Sequence, residues 1–506
     1  MTDEAAVPVL EDGAISFGRR VHELALADPD GIAMVFAPRV GPDRSITRRT
    51  LDERSTQVAR LLAERGAGPG RLIALALPNS PDHVYTSVGA WKAGAGVLPI
   101  RYDLPDWERE RILEVSGVCL VVGDVAESRV PVVTPAEIAA SVDRSAEPLP
   151  DVVAQPAVAV ASSGSTGRPK VIISPLPGAS VPGTALPMVA GLVDLPESLS
   201  QLVPAPLYHT NGFSICQNMV LSGQLMVLME KFDAAQAVDL IERYRIACFT
   251  AVPTMLGRMA RVEGVGERDL SCVVYVMQGG AACPDWVVEA WNDLIGPERF
   301  FMTYGSTERV GLTMMRGVEW LDHRGSCGRP HETEIRILDA DGHDLPPGEI
   351  GEIYMRRPEG MGPTFEYVGA DPPPQTADGY TTIGDLGWLD DDGFLYIADR
   401  RVDMIVSGGA NVFPAEVESA LSEHPGVDDV VVIGLPDPEW GRRVHAIVQP
   451  VDITAAPTPA DLDAFLRARL AAYKLPKAYE VLERIPRNEA GKINRGVLTA
   501  EREPTP

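Results

Sequence analysis

Ala161-Ser162-Ser163-Gly164-Ser165-Thr166-Gly167-Arg168-Pro169-Lys170 follows the apolar run Ala157-Val158-Ala159-Val160. These ten residues hold two glycines, four hydroxyl side chains and two cations. Glycines let backbone N–H groups approach a ligand, hydroxyls donate hydrogen bonds, and Arg168 and Lys170 add positive charge. Such a loop after a strand wraps a polyphosphate. It is not a Walker A loop, because the G-x-x-x-x-G-K-[ST] spacing is missing. A Gly/Ser-rich loop taken alone is as readily a plain turn, so its weight comes from the segments around it.

The chain has 506 residues, more than one hydrophobic core usually organises, which implies two or more domains. Hydrophobic content of 45% and charged content of 23% describe an ordinary soluble globular protein. A formal net charge of −26 argues against binding to nucleic acid or anionic membranes, so cations for a polyphosphate must be concentrated locally. The phosphate loop does this. Six cysteines, Cys119, Cys216, Cys248, Cys272, Cys283 and Cys327, stand singly without a C-x-x-C pair, reading as reduced thiols with no zinc signature. Met1-Thr2-Asp3-Glu4 lacks the basic and apolar regions of a signal peptide, and no apolar run approaches the roughly 18 residues of a membrane span. The expected location is the cytoplasm.

Along the first 125 residues helix and strand signals alternate. Phe17, Val21 and Leu24 share a helical face, as do Val58, Leu61 and Leu62 before Gly66, a C-terminal cap. Leu72–Leu77 reads as a buried strand, Asp82–Ala95 as a helix and Gly96–Ile100 as the next strand, which predicts βαβ units and a largely parallel sheet. Ala126–Pro156 reads as a surface connection. A second alternating region runs from about Leu202 to Tyr304, and Gly328–Tyr396 reads as hairpins of a small barrel or sheet. The acidic turn at Asp390 lacks EF-hand spacing, so calcium is not expected. Beyond Arg401 a compact unit follows: a helix from Pro414 carrying Val417 and Leu421, strands at Val430–Ile433 and His445–Val448, and a helix over Asp461–Ala472.

Four further segments carry chemistry: Tyr304-Gly305-Ser306-Thr307-Glu308, Tyr380-Thr381-Thr382-Ile383-Gly384-Asp385, RRVDMIVSGGANVFPAEVE at 400–418, and PRNEAGKINR at 486–495. With the phosphate loop they resemble, in order and spacing, the adenylate-forming superfamily of acyl-CoA synthetases, luciferases and peptide-synthetase adenylation domains. WKAGAGVLPIRYDLPDWERERIL at 91–113 and PLYHTNGF at 206–213 are similar to the branch holding bile-acid and fatty-acid CoA ligases and related amide bond synthetases. The resemblance implies an α/β fold. A large N-terminal domain of parallel and mixed sheets with helices and a small β-barrel-like subdomain would span 1–401, and a small mobile α+β C-terminal domain 402–506.

It also implies ATP, Mg²⁺ and coenzyme A as partners of a small carboxylic acid. The acid would join the α-phosphate of ATP with release of pyrophosphate and then pass to a thiol. Two anions must meet, so charge must be neutralised, and Lys492 is the residue implied for that. Glu308 would hold Mg²⁺, Thr307 would bind the α-phosphate, and Tyr304 would stack on adenine. Asp385 would accept both ribose hydroxyls, with Arg400 on the ribose or phosphates. Ser162, Ser163, Gly164, Ser165, Thr166, Gly167 and Lys170 would cradle phosphates, and Gly279, Gly280, Ala281, Gly305 and Ser306 would line the nucleotide. His209 would stand beside the acyl carboxylate, and Phe213, Val252, Gly279, Thr303, Gly305 and Val310 would form the acyl pocket.

The family's C-terminal domain rotates about a pivot before the thiol step. Family members carry Asp or Lys there, and this chain has Val402 before Asp403. Ser407-Gly408-Gly409-Ala410-Asn411 keeps the glycines beside the thiol path, but no basic cluster marks a 3′-phosphate site. Transfer to an amine and activation of nitrite share the same adenylation residues, so an amide bond synthetase and a diazotase stay open beside the CoA ligase. A homodimer is allowed.

Overall fold

The computed structural model describes residues 10–163, 169–183, 189, 192–358, 365–400, 402–407, 410–488 and 491–503. Gly164, Ser165, Thr166, Gly167, Arg168, Gly408 and Gly409 lie outside these, as do the side chains of Ser162, Ser163 and Arg400.

A nine-stranded sheet organises the larger part of the chain, in the order Arg329–Pro330, Leu312–Arg316, Phe300–Gly305, Tyr275–Gln278, Cys248–Ala251, Ser200–Val203, Leu225–Met229, Ile32–Ala37, Arg44–Thr47. From Phe300–Gly305 across to Ile32–Ala37 every pairing is parallel, and only the outermost strands run antiparallel. Parallel strands need long crossovers, so helices follow Ser200–Val203, Leu225–Met229, Cys248–Ala251 and Tyr275–Gln278. All the parallel strands then deliver their carboxyl ends to one edge, where open sheets of this kind bind ligands.

A second sheet, all parallel, is ordered Gly96–Pro99, Leu72–Ala76, Leu120–Gly123, Val132–Val133. Helix Pro81–Lys92 is buried along its whole length because it packs between the two sheets. Ser80 caps it, accepting the His83 N–H at 3.2 Å. A lysine in that position must be paired, and the Lys92 ammonium donates to Asp52 Oδ1 at 2.5 Å and to Thr56 Oγ1 at 2.8 Å. Ala126–Pro156 is not the bare connection the sequence implied. It contributes strand Val132–Val133 and helix Pro135–Ala140, the latter closed by a capping box between Thr134 and Glu137.

The Gly328–Tyr396 hairpins form a four-stranded antiparallel sheet, Glu334–Leu338, Gly351–Arg356, Thr381–Leu389, Leu395–Arg400. Its core is Val310, Ile337, Ile353, Met355 and Leu395. A separate three-stranded sheet joins Glu366–Val368, Pro169–Ile173 and Ala159–Ser163.

The last hundred residues build their own core around Val417, Leu421, Val432, Val448, Leu462 and Leu466. There Val427–Asp437 and Gly441–Pro450 form a long hairpin, Ala478–Val481 adds in parallel, and helices Pro414–Ser422, Pro459–Arg467 and Arg495–Ala500 pack around it. Between the last strand of the small sheet and Ile405–Ser407, the Val402 side chain is 69% exposed. Asp403 beside it pairs with Arg495 at 3.3 Å, and Arg495 also holds Glu418 at 2.7 Å. Among the described residues no helix is long and apolar enough to cross a membrane, and the six cysteines are unpaired.

Candidate active site

Strand Pro169–Ile173 carries Lys170, strand Glu366–Val368 pairs beside it, and the turn after Phe300–Gly305 carries Glu308. Three chain segments thus meet at one carboxylate. The Lys170 ammonium donates to Glu308 Oε1 at 3.0 Å and to the Tyr367 hydroxyl at 2.8 Å. The Tyr367 hydroxyl donates to the same Oε1 at 2.6 Å, and the ammonium stands 4.2 Å from the centroid of that ring. Burial alone would raise the Glu308 pKa, but the Tyr367 hydrogen bond and the Lys170 charge outweigh it and hold the carboxyl below its ordinary value. Glu308 is therefore an anion, although only 7% exposed.

Thr307, one residue earlier, meets Thr210 hydroxyl to hydroxyl at 3.1 Å. Thr210 opens helix Thr210–Ser222, whose N-cap residue is His209. The His209 Nε2 is buried and has no hydrogen-bond partner among the described residues. Burial first, then the nearby charges of Lys492 and Arg101, push its pKa down to about 3, so the imidazole is neutral.

The Lys492 charge acts on this histidine from the other domain. Its loop closes on itself, with the Lys492 N–H donating to Asn488 Oδ1 and the Asn488 N–H to the Lys492 carbonyl, both at 2.9 Å. Gly491 adopts φ +72° and lies so close to the large domain that an added Cβ would sit 2.6 Å from Thr254 Oγ1 and 3.3 Å from Val252 Cγ2. Arg261 and Asp428 join the two domains at 3.0 Å, with the guanidinium 4.3 Å from the centroid of a Trp286 ring.

On the far side, the Tyr304 hydroxyl donates to Asp385 Oδ2 at 2.6 Å, and Asp385 is only 6% exposed. Gln278 Nε2 donates to the Ala281 carbonyl at 2.6 Å, and Thr303 Oγ1 to the Gln278 carbonyl at 2.9 Å, which shapes the Gly279-Gly280-Ala281 turn. A side chain at Gly279 would meet Thr303 Oγ1 at 3.0 Å. The Ser306 hydroxyl is buried with no partner among the described residues.

One cavity of about 3760 Å³ runs through the junction of the two domains. Lys170, His209, Val252, Thr303, Tyr304, Gly305, Thr307, Glu308, Asp385 and Lys492 all line it, as do Gly279, Gly280, Ala281 and Ser306. Two residues expected in the acyl pocket do not. Phe213 is 3% exposed and packs edge-on against Trp91 in the core between the sheets. Val310 belongs to the core of the four-stranded sheet. Sequence reading also missed Tyr367, Thr210 and Gln278, whose contacts hold Glu308, Thr307 and the glycine turn.

A family model described as AMP-binding enzyme matches residues 21–363, and one described as AMP-binding enzyme C-terminal domain matches 416–492. The chain is 32% identical over 482 residues to fatty acid–[acyl-carrier-protein] ligase ScoC of Streptomyces coeruleorubidus, covering 90% of this chain and 91% of the relative. It is 33% identical over 469 residues to feruloyl-CoA synthase of an Amycolatopsis species, covering 89% and 93%. The fold is similar to that of o-succinylbenzoate CoA synthetase (MenE) of Bacillus subtilis in complex with the acyl-adenylate intermediate OSB-AMP. The TM-score is 0.81, with 27% identity over 96% of this chain and 98% of that one. With family models matched over most of its length, and a buried carboxylate, a neutral histidine and a lysine from a second domain lining one cavity, this chain belongs to the adenylate-forming superfamily of AMP-binding enzymes.

Proposed function

We propose that the protein is an ATP-dependent carboxylic acid–CoA ligase that forms an acyl adenylate and then a thioester. One observation carries this reading: the C-terminal loop docks on Val252 and Thr254 and brings the Lys492 charge within reach of His209. That is the arrangement needed where a carboxylate meets a phosphate. In the first step a carboxylate oxygen attacks the α-phosphorus of ATP and the bond to pyrophosphate breaks. The Lys492 ammonium offsets the charge of both anions as they approach. His209, kept neutral, borders the acyl group without adding a charge of its own. Tyr304 and Asp385 hold the nucleoside, with Arg400 beside it, and Thr307 with the phosphate loop from Ser162 to Lys170 holds phosphate oxygens.

Glu308 suits Mg²⁺, being a buried, ionised, hard oxygen donor at the phosphate loop. Bound there, Mg²⁺ supplies charge neutralisation to the phosphates. Tyr367 and Lys170 fix the direction in which that carboxylate points.

In the second step a thiol sulfur attacks the acyl carbonyl and AMP leaves. The exposed Val402 side chain supports a hinge there for exchanging Lys492 against the thiol path, and a domain boundary between 401 and 402 belongs to the same proposal. Asp403, anchored to Arg495, stays with the moving part. The ScoC relative, a ligase to an acyl carrier protein by its name, supports a second acceptor of the same chemistry, a carrier-bound thiol. Residence in the cytoplasm, supported by six unpaired cysteines, and pairing into a homodimer belong to the same proposal. Sedimentation velocity reads the homodimer directly.

The test is mass spectrometry of products from ATP, Mg²⁺ and a panel of aliphatic, aryl and steroid acids, each offered CoA and simple amines together. A thioester supports the ligase reading. An amide with CoA untouched replaces it with an amide bond synthetase, and absence of any adenylate overturns it.

A further inference from the structure

The large sheet presents one face to helix Thr210–Ser222, and the gap between them opens into the cavity. Gln201 pairs with Cys248, and Cys248 with Tyr275, so these three share that face one row from the bottom of the strands. Gly279 lies four residues further along its own strand, about 13 Å at ~3.3 Å per residue, and Gln201 stands two strands across, about 10 Å at ~4.8 Å per strand, so about 16 Å separates the two backbones. A group joined to a carboxylate near Gly279 and His209 would therefore reach Gln201 with its far end.

The walls of this slot are unusual in chemistry. Gln201 is 6% exposed, lines the cavity, and its amide is paired with no described group. Thr250 lies on the same face, two residues nearer the strand ends. Across the gap, Asn211, Ser214 and Asn218 line the cavity at helical spacing, on the face opposite Phe213, Cys216 and Val220, and Ile215 and Met219 line it beside them. Leu199, Met277 and Met302 supply apolar surface, but a slot for a plain hydrocarbon would not also hold a buried amide without a partner, because each polar group that a hydrocarbon desolvates loses its water without a replacement. A slot for a second carboxylate would hold a cation. The cavity-lining residues that the segments 199–224, 248–252, 275–279 and 301–305 contribute include no Lys, Arg, Asp or Glu.

We infer that the acid accepted here carries neutral hydrogen-bonding oxygen or nitrogen (hydroxyl, keto or amide) at the end of its body away from the carboxylate, read by the Gln201 amide. This rests on the acid-activating reading above, and the test separates the two.

The experiment is ATP–pyrophosphate exchange with matched acids: hydroxycinnamic against cinnamic, ω-hydroxyoctanoic against octanoic, and octanedioic as the dianion. The hydroxylated member of each pair should exceed its plain partner in kcat/KM by tenfold or more, since a site built for a hydrogen bond discriminates strongly against its loss. In Gln201→Met that ratio should collapse toward one, carried mainly by KM. Asn218→Leu, on the helix wall, should lower the ratio too and covers the case in which the first variant fails to fold. Equal rates within each pair, or a preference for the dianion, overturns the inference while leaving the ligase reading standing. If no acid of any kind supports exchange, it is the ligase reading that fails.

Discussion

Two lysines serve this site, and the protein holds them in opposite ways. Lys170 is built in: its strand is paired on both sides, and its ammonium is fixed by the Glu308 carboxylate and the hydroxyl and ring of Tyr367. Lys492 is brought in, on a turn of the C-terminal domain, and the contacts of that domain with the large one include the close approach at Gly491 and a partly exposed ion pair nearby. The first arrangement is cheap to keep and hard to undo. The second is docked by surface contacts that a rotation can release. In the proposed mechanism, groups that bind the nucleotide throughout belong to the rigid half, and the group needed for one step only belongs to the movable half.

The contrast is broken most severely by Lys492→Ala. Adenylation should fall roughly 10²–10³-fold, as for other lost transition-state charges. Transfer from a supplied acyl adenylate should persist; equal loss in both steps would contradict a step-specific lysine. The same variant should raise the His209 pKa, because one of the charges opposing protonation is gone. In the parent protein the imidazole should stay neutral through every pH above about 3 at which the fold survives, read from its ring proton by NMR. An unmoved His209 titration in Lys492→Ala would place the lysine elsewhere.

Tyr367→Phe probes the built-in half. It removes one hydrogen bond to Glu308 and leaves the ring under the ammonium. Mg²⁺ half-saturation in pyrophosphate exchange should rise about tenfold, the lower end for a residue that orients a metal ligand. Direct Mn²⁺ titration by electron paramagnetic resonance in the presence of ATP checks it without turnover, and unchanged metal affinity would make the contact merely structural. The smallest effect belongs to Arg261→Ala. A pair with side chains 38% and 28% exposed contributes well under about 1 kcal/mol, so the rates of the two steps should shift against each other by about twofold, less at high salt. A tenfold change would mean that this ion pair, rather than the Gly491 contact, holds the domains.

Much of this arrangement was legible in the chain itself. The βαβ rhythm gave the parallel sheet, and the spacing of the motifs around Glu308, Asp385 and Lys492 anticipated residues that line one cavity. Tyr367 was not legible. It sits on a three-residue strand amid Gly- and Pro-rich sequence, too short to show any period, and its partner strand lies almost two hundred residues earlier. Phe213 and Val310 failed for another reason: an apolar side chain beside a pocket and one in a core look alike in sequence. Helical phase could have corrected Phe213, since it shares a stripe with Cys216 and Val220, whereas Ser214 and Asn218 fall on the other side.

Gly491 has a consequence for the history of the chain. With φ at +72° and a neighbouring hydroxyl 2.6 Å from where a Cβ would be, even alanine would strain the turn and force Thr254 to shift. The expected lesion of such a change is local: both domains keep their own cores, and the docking of the Lys492 turn on Thr254 is what weakens. Selection for a stable fold would pass over such a lesion, and only selection on turnover would remove it. The position therefore records whether a lineage still uses the closed state, which makes its drift a sign of retired chemistry.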